Sequence, residues 1–257
     1  MGKLVIGSST GWMYANGINS LTQQQAILRD AGVSAVEICM GSTLIDNNDV
    51  RVKSLLNGDR LDFARLPYTS LHLPDYQSEI ETSRQVKAAR EIVVNHFVST
   101  MVIHPVKDGR GYPTFYYDLL YRIAWIGGSY RLAIENMDKE KPDGFLLSEL
   151  EHLVEVCDLN FVLDVQHAFE HDPLMRYAEE LFLAMKNRLV HLHVSGESEG
   201  SNHCLVHRSE NRSAIIEFLG WIFSKTRVPI ILEGKYKDAK DLRAEIEFIE
   251  KELGLQE

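Results

Sequence analysis

The chain has 257 residues, of which 45% are hydrophobic and 25% charged, the make-up of an ordinary globular domain. Its net charge of −10 argues against a general nucleic-acid binder, although a local basic patch is compatible with it. No apolar stretch reaches the roughly 18 residues of a membrane helix. Cys39, Cys157 and Cys204 lie too far apart for a disulfide framework, which fits a reducing cytoplasm.

Leu4 to Ser8 reads as a first strand; the segment from Met1 to Gly7 is too short for the core of a signal peptide. Ser20-Leu21-Thr22-Gln23 reads as a capping box opening a helix to about Ala31, with Gly32 as its C-cap. Ala35 to Cys39 is the second strand, and the more polar stretch from Ile45 to Arg65 reads as irregular helix or loop. Six further apolar runs follow, ending at His72, His104, Glu135, Asp164, His193 and Glu233. Helical spacing fills the gaps: Gln77 to about Phe97, Tyr112 to Ile126, Phe145 to Val156, Leu174 to Lys186, Ser213 to Ser224 and Ala239 to Leu253.

The ends of those six runs are separated by 32, 31, 29, 29 and 40 residues. A strand, a helix and two loops take about 30 residues. Eight strands alternating with about eight helices, with no Gly/Ser/Pro linker, predict an α/β fold: one (β/α)8 TIM barrel over residues 1–257, close to the roughly 250 residues usual for that fold. The strands are near-continuous apolar runs because both faces are buried.

In such a barrel the site lies at the C-terminal ends of the strands. All six residues fall there, and each is a residue type that binds divalent metals. Apolar strands ending in acids need compensation, which a cation supplies. Taken singly, a strand-end His is more often a satisfied polar residue and a Glu an ion-pair partner; six at regular intervals point to a metal centre. His167, three residues after Asp164 in the turn that follows, is a candidate second-metal or substrate-hydroxyl contact. His203 and His207 lie in the loop after the seventh strand, His203 being the better candidate. His191 lies deeper than His193. Trp12 follows the first strand and either walls the pocket or packs in the core. Cys204 lacks an orienting partner for a nucleophile.

These motifs resemble the xylose isomerase-like TIM barrel superfamily, which includes endonuclease IV and sugar epimerases. The carriers are Ser70-Leu71-His72-Leu73-Pro74, Val102-Ile103-His104-Pro105, Ala133-Ile134-Glu135-Asn136, Leu163-Asp164-Val165-Gln166-His167, His191-Leu192-His193 and Ile231-Leu232-Glu233. The resemblance implies that Glu135, Asp164, His193 and Glu233 hold one metal. It implies that His72 and His104 hold a second with Glu135, as in endonuclease IV. His167 and His203 match two ligands of a third zinc there, but Ser201 stands where that zinc's Asp would be. Val106 stands in place of the glycine that usually follows His-Pro, and Ser201-Asn202-His203 in place of Asp-Arg-His. In the epimerases the equivalent of His167 contacts substrate, and those of Glu135 and Glu233 move a proton.

Two activities therefore compete. One is a metal-dependent isomerase or epimerase acting on a sugar, sugar phosphate or keto-acid, with Glu135 and Glu233 catalytic, His167, His203 and Trp12 facing substrate, and zinc, manganese, magnesium or cobalt as cofactor at one or two per chain. The other is a zinc-dependent phosphoesterase of the endonuclease IV type, favoured by His72 and His104 and disfavoured by the acidic charge and Ser201. A non-enzymatic metal-holding binding protein is the third reading. A small molecule is the expected partner, nucleic acid is not favoured, no membrane is expected, and nothing in the sequence assigns an oligomeric state.

Overall fold

The structure is a computed structural model that describes residues 4–40, 66–74, 88–89, 91–93, 97–105, 131–141, 143–199 and 201–254. The helix expected from Tyr112 to Ile126, the polar stretch from Ile45 to Arg65, most of the helix from Gln77 to Phe97, and Val106 lie outside the described residues. Eight parallel strands close a barrel: β1 (Ile6–Ser9), β2 (Ala35–Cys39), β3 (Tyr68–His72), β4 (Thr100–Ile103), β5 (Arg131–Glu135), β6 (Asn160–Asp164), β7 (Leu189–Val194) and β10 (Ile230–Leu232). Their order around the ring is β1-β10-β7-β6-β5-β4-β3-β2, the sequential order of a (β/α)8 fold. Two short strands outside it, β8 (Gly196–Ser198) and β9 (Ser201–Cys204), form an antiparallel pair.

Among the described residues the helices with both ends in view are α1 (Gly11–Ala15), α2 (Leu21–Ala31), α3 (Leu147–Val156), α4 (Val165–His171), α5 (Arg176–Met185), α6 (Arg212–Phe223) and α7 (Ala239–Glu252); residues 88–89 and 91–93 are helical as well. Apolar residues three and four apart fix the inward face of each long one. On α5 these are Ala178, Leu181, Phe182 and Met185; on α6 they are Ile215, Phe218, Leu219 and Ile222. They pack with the outward faces of the strands into one continuous core. Gly32 ends α2 at φ 80°, where a side chain would be strained. At Gly7 a Cβ would lie 2.2 Å from the Ala35 carbonyl oxygen, so the β1–β2 approach requires glycine. Ser20 occupies the N-cap of α2 with extended backbone, but its side chain makes no capping bond; the expected capping box does not form, and Gln24 instead donates to the Ile18 carbonyl at 2.8 Å. Among the described residues, no helix is long and apolar enough to cross a membrane.

One buried acid is structural. Glu245 of α7 is fully enclosed and accepts from the backbone N–H groups of Val206 and His207 and from His207 Nδ1. This ties the 3₁₀ turn Val206–Arg208 to the last helix, and it places His207 away from the barrel mouth, so His207 is not among the residues gathered there. Glu245→Ala leaves two backbone donors without partners and should lower stability by about 3 kcal/mol, read as a shifted urea midpoint at unchanged slope. An unchanged midpoint would show that water replaces the carboxylate freely.

Candidate metal centre

The register of the parallel strands brings the six ligand-type residues to one end. His193 lies opposite Asp164 on β6 and Ile231 on β10, and His72 opposite Cys39 and Val102. An irregularity between Phe161 and Val162 shifts the β6–β7 register, after which His191 and His193 face Val162 and Asp164. Both histidines then share one face, since alternate strand residues do.

Two groups form, joined by Glu135. In the first, one ligand atom from each of Glu135, Asp164, His193 and Glu233 lies within 4.8 Å of the others. His193 Nδ1 is 3.1 Å from Glu135 Oε1 and 3.8 Å from Glu233 Oε2. In the second, His72 Nε2 and His104 Nε2 lie 3.1 and 3.4 Å from Glu135 Oε2, so each carboxylate oxygen of Glu135 faces a different group. The His72 Nδ1–H donates to the Leu73 carbonyl at 2.9 Å, which leaves Nε2 turned to Glu135.

The donor set suits a divalent cation. Three carboxylates and a histidine crowd a buried space, and Asp164 Oδ2 is buried without a hydrogen-bond partner. Burial raises the Glu233 carboxyl above the usual range, and the charges of Glu135, Glu37 and Asp164 push the same way against His193. Burial also opposes ionisation of Glu135, but the charge of His193 and hydrogen bonds from His104, His193 and His72 hold its carboxyl well below the usual range. Burial would keep His193 neutral, yet Glu233, Glu37 and Glu135 raise it well above a free imidazole. Charges this close need a cation, and the carboxylates draw His193 toward its protonated form; a metal ion would take over that role.

Local structure holds the ligands. Asn136, directly after β5, donates its side-chain amide to the Asp164 carbonyl at 3.0 Å and accepts the Asp164 N–H at 2.8 Å. The strand ends of β5 and β6 are clamped by that pair. Asp164 is the N-cap of α4, its Oδ1 accepting the His167 N–H at 2.7 Å. His167 therefore sits in the turn that follows the strand, which is the first turn of α4, and its Nδ1–H donates to the Asn136 carbonyl at 2.9 Å. Its Nδ1 is 3.6 Å from Glu135 Oε1, and its Nε2 is 3.9 Å from Asp138 Oδ2.

His203 stands in the β8–β9 hairpin with φ 57°, an uncommon region for a residue other than glycine. Its Nδ1 lies 3.2 Å from Ser195 Oγ and its ring centroid 6.1 Å from that of His167. Glu170 of α4 accepts from Asn202 at 3.1 Å, bracing the hairpin against the helix. Ser201 donates to the Asn202 carbonyl at 3.4 Å. Among the described residues no third metal-type group gathers at His167 and His203.

The centre opens into a cavity of about 440 Å³ lined by Trp12, His72, His104, Glu135, Met137, Asp138, Lys141, His167, His203, Glu233 and Lys235, among others. Trp12 both packs and lines: it is 6% exposed, donates Nε1–H to Ser8 Oγ at 3.1 Å and meets Tyr236 edge-on at 5.4 Å. The sequence reading missed Asn136 and the two lysines. It also missed Glu37, a fully buried acid within β2 that bonds to His193. An acid inside an apolar strand was the available signal.

A closed parallel barrel with an acidic and histidine-rich centre at its C-terminal mouth is the class that fold and site define. No protein-family model and no curated protein sequence matches the chain. Among solved structures it is similar to a D-tagatose 3-epimerase-like protein, with TM-score 0.71 and 17% identity over 98% of each chain. It is similar to endonuclease IV from Thermus thermophilus, with TM-score 0.68 and 18% identity over 98% of this chain and 99% of that one. It also matches a xylose isomerase domain containing protein from Salmonella typhimurium, with TM-score 0.67 and 13% identity over the whole of both chains. The chain has the fold of the xylose isomerase-like TIM barrels.

Proposed function

We propose that residues 1–257 form one enzyme domain, a divalent-metal-dependent isomerase or epimerase of a small hydroxy-carbonyl compound. The cavity carries this reading: its volume of about 440 Å³ lies in the range of small-molecule sites, about 300–1,000 Å³, and the carboxylates of Glu135, Asp138 and Glu233 line it. Glu135, Asp164, His193 and Glu233 would hold the metal. When bound, the ion polarises a substrate carbonyl and the neighbouring hydroxyl and so acidifies the C–H beside them.

The chain's own groups do the rest. Glu233 lines the cavity with its side chain still 16% exposed, and its raised carboxyl is suited to exchanging a proton with carbon. Glu135, three strands away around the ring, is the partner that gives or takes the proton at the other face, through an enediolate of the substrate. His167 and His203 lie side by side above the centre as hydroxyl contacts, and Trp12 supplies an apolar wall that excludes water. The neighbours named as epimerases agree with this reading.

A second reading has its own observation. His72 and His104 converge on the second oxygen of Glu135, Oε2, an arrangement that one-metal proton transfer does not use and that two-metal phosphoester hydrolysis does. The neighbour named endonuclease IV agrees with that one. One experiment separates them. Metal is counted in protein purified without added metal, and the loaded protein is incubated in D2O with a panel of ketoses and keto-acids, and separately with an abasic-site duplex. Deuterium at carbon with no incision is the expected result. Incision that vanishes in Glu135→Gln, with no exchange on any ketose, would replace the isomerase reading by the hydrolase. Bound metal with neither activity would favour the metal-holding binding protein.

A further inference from the structure

Glu37 lies two residues before the end of β2 at 0% exposure. β2 borders β1 and β3, whereas β7 borders β6 and β10, so a bond between Glu37 and β7 crosses the barrel interior. Two such contacts exist. Glu37 Oε2 is 3.2 Å from His193 Nε2 and 3.5 Å from His191 Nε2, and it also accepts the Ser70 hydroxyl at 2.9 Å. On the far side of His191, Tyr68 Oη is 2.7 Å from Nδ1. A tyrosine hydroxyl donating to Nδ1 leaves the His191 proton on Nε2, which faces both Glu37 Oε2 at 3.5 Å and His193 Nε2 at 3.0 Å; the charged carboxylate oxygen is the stronger acceptor of the two. His193 likewise presents one nitrogen to Glu37 and the other, Nδ1, to Glu135 and Glu233.

We propose that Glu37 is a positioning residue for the metal centre: its carboxylate keeps the His193 proton on Nε2 and so turns the Nδ1 lone pair to the cavity, while Ser70, His191 and Tyr68 hold the carboxylate in place. This rests on the metal centre proposed above and not on which reaction it serves. The physical reason is general. A metal-bound imidazole is oriented and made more basic when its second nitrogen donates to a carboxylate. A carboxylate buried where Val or Leu would pack is costly unless it is engaged; here Ser70, His191 and His193 all meet Oε2, His193 being the one that also faces the centre, while Oε1 is buried without a hydrogen-bond partner. The donor atoms of Glu37, His191 and His193 are themselves close enough to hold an ion, but all three side chains are fully buried and the shared oxygen already takes the Ser70 proton.

The test uses the full chain. Glu37→Gln keeps the shape and an acceptor but loses the charge; Glu37→Leu loses both. Zinc affinity, measured by chelator competition, should fall ~10–100-fold in Glu37→Gln and further in Glu37→Leu, with the number of zinc ions per chain unchanged. In the zinc-loaded wild type, long-range 1H–15N spectra should show His193 protonated at Nε2 and not at Nδ1. The visible absorption of the cobalt form should change between wild type and Glu37→Gln. A merely structural acid would move melting temperature and leave these spectra and the affinity alone, so wild-type affinity in a natively folded Glu37→Gln overturns the proposal. Loss of one whole zinc equivalent, with the remainder bound as tightly as before, also overturns it by making Glu37 a ligand. If both variants fail to fold, Tyr68→Phe is read in the same assay, where a smaller drop supports the proposal and no drop overturns it. A wild-type chain that binds no zinc, manganese or cobalt would remove the centre itself, a different result from tight binding that ignores Glu37.

Discussion

Glutamine in place of Glu135 is expected to strip the protein of divalent metal at both groups at once. Its two oxygens serve different neighbours, Oε1 facing His193 and Oε2 facing His72 and His104. An amide at that place can face only one side with an oxygen and turns donors to the other, where a metal would need a lone pair. Removing one partner of a buried charged cluster costs about 3–5 kcal/mol, which corresponds to ~10²–10⁴-fold in affinity. Elemental analysis of Glu135→Gln purified beside the wild type checks it. His72→Ala gives the contrast, since it touches only the second group and should leave one equivalent in place. Full occupancy in Glu135→Gln would remove the centre from Glu135.

The second large effect concerns Glu233. At metal concentrations that fill the weakened site, Glu233→Gln should slow deuterium exchange into substrate by ~10²–10⁴-fold, the usual contribution of a positioned general base. The argument is positional. Glu233 is the more exposed of the two candidate acids, with a side-chain exposure of 16% against 2% for Glu135, and burial together with three neighbouring carboxylates raises its carboxyl. Exchange at the wild-type rate in a fully loaded Glu233→Gln would assign the proton transfer elsewhere, with Glu135 and His167 the next residues to substitute.

The barrel was legible because its strands are short, apolar and punctuated. Each of the last six ends in a side chain that cannot stay buried alone, and the observed ends at His72, Glu135 and Asp164 match those residues, with Ile103, Val194 and Leu232 one residue away from the others. The interval of 40 between His193 and Glu233 carried its own message. The excess over the neighbouring spacings holds the β8–β9 pair and the 3₁₀ turn, elements too short for an apolar period to mark within a loop. Short helices were the harder elements. α1 and α4 have five and seven residues, too few for a 3.6-residue period to show. Glu37 escaped because an acid within a strand reads equally as an ion pair on an outer face. Only the three-dimensional crossing from β2 to β7 shows what it faces. Ser20 shows the opposite error, a motif with the right letters whose side chain makes no capping bond.

Asp164 carries a warning for anyone who would dissect this centre by alanine scanning. One of its oxygens secures the start of α4 through the His167 N–H, and the other is the partnerless atom of the donor set. Asp164→Ala would therefore confound two losses: a ligand, and a helix cap of ~0.5–2 kcal/mol whose removal frays the turn that aims His167. Asp164→Asn separates them, since the amide oxygen can go on accepting from His167 while the charge is gone. Backbone amide exchange at His167 and Ala168 reports the fraying directly. Apparent loss of substrate affinity in the alanine variant but not in the asparagine variant would then belong to a displaced histidine and not to a missing ion.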